Sequence, residues 1–294
     1  MVDQDVFAAE LAALRDGRGY VDVSGRRTWS VHGADAIGWL HDLLTADIEG
    51  LAPRTSCRSL LLNPTGHVRA DVRVVRRTED VLLVQGEDQP EDVGAILGPY
   101  VLSSDVTLRD VTGEFIILGL PGATAAPGGA EGFTPSTLGA GVDVILRADD
   151  APALRAAIRA AGFVEVGAPT AEVWRIVHGV PRMGPDFDQR SLPSEAGLEE
   201  LIDTTKGCFL GQESVARVRN LGHPPRVLRH VQGPASLATG SPVLDGDGST
   251  VGSVTSAAWI DGRSSALVRV AWAAATTRLA DTDGHPLTDV AAAG

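Results

Sequence analysis

The stretch KGCFLGQESVARVR, residues 206–219, is the most informative one in this chain of 294 residues. Gly207 and Gly211 flank Cys208 closely, and glycine permits tight backbone conformations that other residues avoid. The residues after Gly211 predict a helix whose first turn holds Gln212 and Glu213, where negative charge is favoured. We therefore expect a tight loop that presents a thiol just before the N-terminus of a helix.

Cys208 allows two interpretations from the residues alone. Backbone N–H groups of a helix start and the nearby Lys206 would both favour a thiolate, which is the reactive form of cysteine. The alternative is a small thiol buried at a loop-to-helix junction, which is the commoner state of a free cysteine. Exposure of Cys208 in the fold separates the two.

The same stretch resembles a known family signature. Lys206-Gly207-Cys208-Phe209 followed by Gly211-Gln212-Glu213 is similar to the K-G-C-[FY]-x-G-Q-E motif of YgfZ-like proteins, which are relatives of the glycine-cleavage T-protein. Arg217, in the helix that follows, fits the same pattern. Seven residues at fixed spacing make this resemblance specific.

Four further segments resemble the family in the same order along the chain. They include a hairpin with Gly66 and Asp71 and a later segment that begins at Arg175. The segments are HGADAIGWLHDLLTADIEGL at 32–51, the hairpin at 63–75, residues 175–195, and GSVTSA at 252–257. The resemblance therefore covers nearly the whole chain, and residues 121–141 match it least.

The resemblance implies an α+β folate-binding fold of interleaved ferredoxin-like sheets, followed by a small C-terminal β-barrel. It also implies that tetrahydrofolate binds in a central hole between these parts. The residue pattern agrees, because short strands bounded by glycine replace mixed α and β elements after Pro225. We expect a folate-binding domain over residues 1–225, with a candidate subdomain break at 121–141, and a barrel domain over 226–294 with a frayed tail.

Local patterns predict three elements that the structure can test directly. Residues 20–31 alternate weakly and predict one strand. Ser194 is a candidate N-cap for a helix that reaches Asp203. Residues 121–141 are rich in glycine, alanine and proline, which is typical of a loop.

Departures from the T-protein pattern favour the YgfZ branch. Where T-proteins resemble G-Y-T-G-E-D-G-[FY]-E, with a Glu that holds the pterin, this chain has TLGAGV at 137–142. The paired Asp of the T-protein hairpin is Ala70-Asp71 here, and T-proteins lack a cysteine at the position of Cys208. The YgfZ branch implies a role in maintaining iron–sulfur enzymes, including some that modify tRNA.

Three functions remain open at this point. The first is a tetrahydrofolate-binding accessory protein for iron–sulfur cluster assembly or repair, whose partners are iron–sulfur client enzymes or assembly proteins and which need not catalyse any reaction. The second is a folate-dependent aminomethyltransferase or another one-carbon transferase. The third is a structural adaptor without a small-molecule site.

The resemblance and the residue chemistry together nominate a set of site residues. Asp71 is expected to accept a hydrogen bond from a folate nitrogen, and its alternative is a solvated position on the outer strand face. Arg217 and Arg226 lie in a stretch, 214–231, without Asp or Glu. They are expected to attract the glutamate tail of folate, and their alternative is a solvated surface paired with nearby acids. The full set is Cys208 as the functional thiol and Asp71, Lys206, Gln212, Glu213, Arg217 and Arg226 as folate-binding residues.

Composition argues against several other classes of protein. A net charge of −13 opposes binding to phosphate backbones, so no direct nucleic-acid partner is expected. Cys57 and Cys208 are the only cysteines, and no spacing of Cys or His is typical of a zinc or iron–sulfur site. The N-terminus lacks a signal-peptide pattern, and no stretch approaches the ~18 apolar residues of a membrane span. We therefore expect a cytoplasmic protein without a metal site.

Overall fold

The computed structural model describes residues 4–127 and 130–290. Contacts divide the chain into two compact units, each assembled from separate stretches of sequence. Unit 1 comprises Met1–Leu62, Arg69–Ala171 and Leu201–Leu210, and unit 2 comprises Asn63–Val68, Glu172–Glu200 and Gly211–Gly294.

Unit 1 contains two five-stranded sheets with helices. Its helices are α1 (Gln4–Arg15), α2 (Ala36–Leu43), α3 (Val93–Leu97) and α4 (Ala151–Ala160). The first sheet has the strand order β10-β1-β7-β9-β8 and the second the order β3-β4-β5-β2-β6. Their strands are β1 (Gly19–Asp22), β2 (Arg27–His32), β3 (Thr55–Leu62), β4 (Val68–Arg76), β5 (Val81–Gln85), β6 (Thr107–Asp110), β7 (Phe115–Pro121), β8 (Gly132–Phe133), β9 (Gly141–Arg147) and β10 (Val164–Glu165).

The second sheet buries one face against helices α2 and α3. Strand β4 alternates, so that Ala70, Val72 and Val74 enter this apolar core and the residues between them face the other side of the sheet. Leu40 of α2 is fully buried in the same core. The alternation leaves the second face of β4 available for polar side chains.

The expectation of one strand over residues 20–31 is wrong. The structure has β1 and β2, and they belong to different sheets. A tight turn separates them, in which the Ser24 N–H donates to Asp22 Oδ1 at 2.9 Å. Ser24 Oγ also accepts a hydrogen bond from the Ile117 N–H at 2.9 Å, which fixes the turn beside β7.

Unit 2 contains the barrel that was expected after Pro225. It has α5 (Ala168–Val177), whose first turn belongs to unit 1, and α6 (Gln212–Leu221). The closed barrel has the strand order β11-β14-β13-β12-β15-β16. Its strands are β11 (Arg226–Gly233), β12 (Pro242–Asp245), β13 (Thr250–Ile260), β14 (Arg263–Ala271), β15 (Leu279–Ala280) and β16 (Pro286–Asp289).

The α+β fold with a C-terminal barrel is therefore confirmed, whereas two further local expectations are corrected. The helix from Ser194 to Asp203 is wrong: short 3-10 turns stand at Pro193–Glu195 and Glu199–Leu201. Gly197, with φ of 65° between them, takes a left-handed conformation that interrupts any helix. The loop at 121–141 also contains the short strand β8.

The domain boundary at Pro225 stays a prediction, although the first barrel strand begins at the next residue. The C-terminal end of the predicted frayed tail, residues 291–294, lies outside the described residues. Within the described ranges, no helix is long and apolar enough to span a bilayer.

Candidate functional site

Asp71 lies on the polar face of β4 and forms a paired contact with Arg58 of β3. Arg58 Nε donates to Asp71 Oδ1 at 2.9 Å, and Arg58 Nη2 donates to Oδ2 at 2.6 Å. The Asp71 side chain is 12% exposed, so the alternative of a freely solvated Asp is wrong. The Gln89 side chain binds the backbone of Asp71 at two points. Its Oε1 accepts a hydrogen bond from the Asp71 N–H, and its Nε2 donates to the Asp71 carbonyl oxygen. Asp71 is thus fixed in place before any ligand binds.

Arg73 and Asp143 form a second, more deeply buried polar cluster in unit 1. Arg73 Nη2 donates to the Ser136 carbonyl oxygen at 2.6 Å, and Ser136 Oγ donates to Asp143 Oδ1 at 2.6 Å. The Thr137 N–H donates to Asp143 Oδ2 at 2.8 Å. Burial raises the pKa of Asp143 and lowers that of Arg73, although each charge favours the ionised form of the other.

Sequence reasoning missed Asp143. The segment at 137–142 has no carboxylate at the position compared with the pterin-holding Glu of T-proteins, but Asp143 follows it directly. The available signal was a single Asp between Val142 and Val144 on an apolar strand. A carboxylate at such a position is buried only with dedicated partners, and Ser136 and Thr137 supply them here.

Lys206 binds the carboxyl end of helix α2. Its Nζ donates to the carbonyl oxygens of Leu44 at 2.7 Å and Ala46 at 2.9 Å, and also to that of His41. These contacts satisfy carbonyl groups that a helix end leaves without intrahelical partners. Burial lowers the pKa of Lys206, and nearby acids including Asp47 oppose that shift. Because an ammonium group has three donors, Lys206 uses all of them in unit 1.

The two cysteines have opposite environments. Cys208 is exposed, which rules out the buried-thiol alternative. Cys57, on β3, packs against the core of the second sheet, and burial raises its pKa to about 11. The loop that carries Cys208 is attached to unit 1 on both sides of the thiol, because Lys206 binds the end of α2 and the Leu210 N–H donates to the Asp42 carbonyl oxygen at 3.3 Å.

Helix α6 begins at Gln212, as the sequence predicts, and belongs to unit 2. Gly211 precedes it with φ of 85°, a conformation that favours glycine. Gln212 is half-buried, whereas Glu213 and Arg217 are exposed. The helix contacts the turn of the family-like hairpin: Ser214 Oγ donates to the Pro64 carbonyl oxygen at 3.0 Å.

The basic stretch in unit 2 is less uniform than the sequence suggests. Arg226 is exposed at the start of β11, but Arg229 forms a paired contact with Asp289 at 2.9 and 2.6 Å. Among the described residues, Arg217 and Arg226 have no hydrogen-bond or ion-pair partner. For Arg217 and Arg226, the alternative of pairing with nearby acids is therefore not found within those residues.

An exposed aromatic contact adjoins Arg226. The rings of His223 and Trp272 stack with centroids 4.9 Å apart and an interplanar angle of 4°. Trp272 follows Ala271, which is the β14 partner of Arg226, and the Trp272 N–H donates to the Pro225 carbonyl oxygen at 3.0 Å. This part of unit 2 thus offers cationic and aromatic groups side by side.

The predicted site residues fall into the two units. Asp71, Lys206 and Cys208 belong to unit 1, and Gln212, Glu213, Arg217 and Arg226 belong to unit 2. Within unit 1, the polar face of β4 brings Asp71 together with Arg58 and Arg73, and neither arginine was singled out from the sequence.

Comparisons with known proteins agree with this architecture. Residues 3–127 match the family model described as the GCVT N-terminal domain. The chain is 24% identical over 290 residues to the "Aminomethyltransferase" of Synechococcus sp. (strain CC9311), covering 85% of this chain and 78% of that protein. It is 26% identical over 258 residues to an "Uncharacterized protein" of Haemophilus influenzae, covering 83% of this chain and 85% of that one.

A solved structure shows the same fold. The glycine cleavage system aminomethyltransferase T of Bartonella henselae superposes with a TM-score of 0.79 at 21% identity, covering 95% of this chain and 87% of that one. The expected fold is therefore confirmed. The expected resemblance is confirmed for the GCVT N-terminal domain over residues 3–127, and the narrower YgfZ branch stays a prediction.

Proposed function

We propose that this chain, which carries a GCVT N-terminal domain, binds a reduced folate and acts as an accessory protein for iron–sulfur cluster assembly or repair. The clients are iron–sulfur enzymes, including ones that modify tRNA, or the assembly proteins that serve them. The folate-binding residues are Asp71 in unit 1 and Gln212, Glu213, Arg217 and Arg226 in unit 2, and Cys208 is the functional thiol. Lys206 contributes by holding the loop that carries Cys208.

The polar face of β4 is the observation that carries this proposal. Asp71 stands on the hairpin where the family resemblance implies a folate contact, and Arg58 and Gln89 fix it from both sides. A preorganised carboxylate suits recognition of ring nitrogens. Because the side chain is already fixed, binding does not have to supply the free energy of ordering it. The second buried carboxylate of this unit, Asp143, is likewise held in place, by Ser136 and Thr137.

The paired contact with Arg58 favours binding over group transfer. Both Asp71 oxygens accept charge-assisted hydrogen bonds from Arg58, so this carboxylate is already engaged before any substrate arrives. A one-carbon transferase needs a group that exchanges protons with the reacting nitrogen. The exposed Cys208 instead suits contact with a protein client.

A folate-dependent aminomethyltransferase is the second candidate. It is favoured by the aminomethyltransferase relative and by the presence of Asp71 on the hairpin. Under that function, Arg58 would have to release Asp71 when the substrate binds.

Three measurements test these functions and separate them. Calorimetric titration with (6S)-5-formyltetrahydrofolate tests the site itself, and Asp71→Asn is expected to weaken binding, whereas Asp110→Asn, on the exposed strand β6, serves as the control. An assay for ammonia and methylene-folate release from an aminomethyl donor should give no turnover. Activity of an iron–sulfur enzyme in cells that lack this protein should be restored by the wild type but not by Cys208→Ser. Absence of folate binding would refute both candidates and favour the structural adaptor.

A further inference from the structure

Arg73 has a buried hydrogen-bond donor without an acceptor. The residue is 8% exposed, and its Nη2 donates to the Ser136 carbonyl oxygen. Its Nε is fully buried and has no hydrogen-bond partner among the residues that the structure describes. In the described part of the chain, every other fully buried side-chain nitrogen or oxygen has a hydrogen-bond partner.

An unused donor of this kind is costly. Burying a donor without an acceptor costs its desolvation free energy without compensation, and the large majority of buried polar groups therefore have partners. Replacing a buried ion pair by well-packed apolar residues of similar volume is often neutral or stabilising. Packing alone does not explain an arginine between Val72 and Val74.

Arg73 lies in a buried polar cluster with Ser136 and Asp143. Ser136 connects Arg73 with Asp143, which places a donor and a carboxylate in one cluster. The Asp143 oxygens are occupied by groups of the turn at residues 136–137. Arg73 also lies two residues from Asp71 on the same strand face, where we expect the folate contact.

We propose that Arg73 is a ligand-binding residue whose Nε–H donates to the keto oxygen of the pterin ring of a bound reduced folate. This inference rests on the proposed folate-binding function and assigns the pterin end of the ligand to unit 1. A neutral carbonyl oxygen fits a buried donor better than a glutamate carboxylate, whose desolvation is far more costly. Because Nε is sealed, the turn at residues 136–137 has to shift when the pterin enters.

Arginine side-chain NMR tests this directly in the wild-type protein. The Arg73 Nε–H signal, assigned with Arg73→Lys, is expected to move downfield on saturation with (6S)-5-formyltetrahydrofolate, because the proton gains an acceptor. If the ligand binds and this signal stays in place, the inference is overturned while folate binding stands. If the wild-type protein does not bind the ligand, both the inference and the proposed function are overturned.

Affinity gives a second, independent readout. Arg73→Lys keeps the positive charge but removes Nε–H, and we expect at least about tenfold weaker binding, as for the loss of a hydrogen bond to a charged group. Arg76→Lys is the matched control on the same strand, since Arg76 binds the carbonyl oxygens of Glu49 and Leu51. Equal affinity of the Arg73→Lys and control proteins would overturn the inference. If Arg73→Lys does not fold, the Arg73 Nε–H signal of the wild-type protein is assigned by through-bond experiments. Its shift on ligand binding then tests the inference alone.

Discussion

Arg175 and Asp186 form a buried ion pair in unit 2, with Arg175 Nη1 lying 2.7 Å from Asp186 Oδ2. Asp186 Oδ1 accepts hydrogen bonds from the hydroxyls of Thr255 at 2.7 Å and Ser256 at 2.6 Å. Arg175 belongs to one family-like segment and the two hydroxyls belong to another. The two segments therefore meet at one carboxylate, and their residues hold the stretch at 172–200 against barrel strand β13.

Removing the Asp186 carboxylate should destabilise the protein strongly. We expect Asp186→Ala to lower the free energy of unfolding by about 3–5 kcal/mol, because it removes a buried carboxylate that pairs with Arg175 and accepts from the Thr255 and Ser256 hydroxyls. Denaturation in urea measures the change, and Asp247→Ala, in an exposed turn, is the control. A loss no larger than that of the control would contradict the structural role of this ion pair.

The pH dependence of stability should contain a contribution from Glu172. Burial alone would raise the pKa of Glu172, but the Arg175 hydrogen bonds and charge outweigh burial and lower it. The resulting stabilisation is present above the unfolded-state pKa, about 4.3, and is lost as the pH falls through the lower folded-state value. Glu172→Gln should therefore lower Tm at pH 7, and its difference from the wild type should shrink below about pH 4. Glu79→Gln, at an exposed position, serves as the control, and a Glu172→Gln difference that is independent of pH would contradict this account.

The two thiols should react at very different rates. The native protein is expected to react with one equivalent of a thiol reagent at neutral pH, at Cys208, because that residue is exposed. Cys57 should react only after unfolding, since burial raises its pKa to about 11 and limits access. Cys208→Ser should abolish the fast phase and Cys57→Ser should leave it unchanged. A fast phase that survives in Cys208→Ser would reverse the assignment.

The exposed arginines of unit 2 should favour folates with long glutamate tails. We expect a triglutamate form to bind more tightly than the monoglutamate at low salt, with the difference shrinking as the Debye length falls from about 10 Å at 0.1 M to about 3 Å at 1 M. Replacing Arg217 and Arg226 with Gln should remove that difference, and Arg263→Gln serves as the exposed control. Equal affinity for both tails at low salt would assign these arginines to another partner.

The sequence predicts what depends on local pattern. The start of helix α6 after Gly211, the barrel strands after Pro225 and the hairpin around Gly66 all follow from glycine positions and alternation. The split of residues 20–31 does not, because Ser24 is held by Ile117, 93 positions away in sequence. Side-chain partners across long separations are not visible in any short pattern.

The site residues also divide into those predicted from local motifs and those that depend on distant partners. Asp71 and Cys208 were found through their motifs, whereas Arg58 was missed because its pairing with Asp71 depends on strand register. Asp143 was missed because its burial depends on Ser136 and Thr137, which the sequence places in a loop. Arg229 lies in the stretch 214–231, which has no Asp or Glu, yet it binds Asp289, 60 positions away in sequence.

Closure of the barrel imposes an order on biosynthesis. Strand β11 pairs with β16 through Val231 and Asp289, so the first and last strands of the barrel are neighbours. During translation, β11 emerges from the ribosome well before its partner, and its edge groups stay unpaired for the time needed to synthesise the intervening residues. An unpaired strand edge is prone to association with other chains. Nascent chains halted before β16 should therefore be the species that chaperones retain.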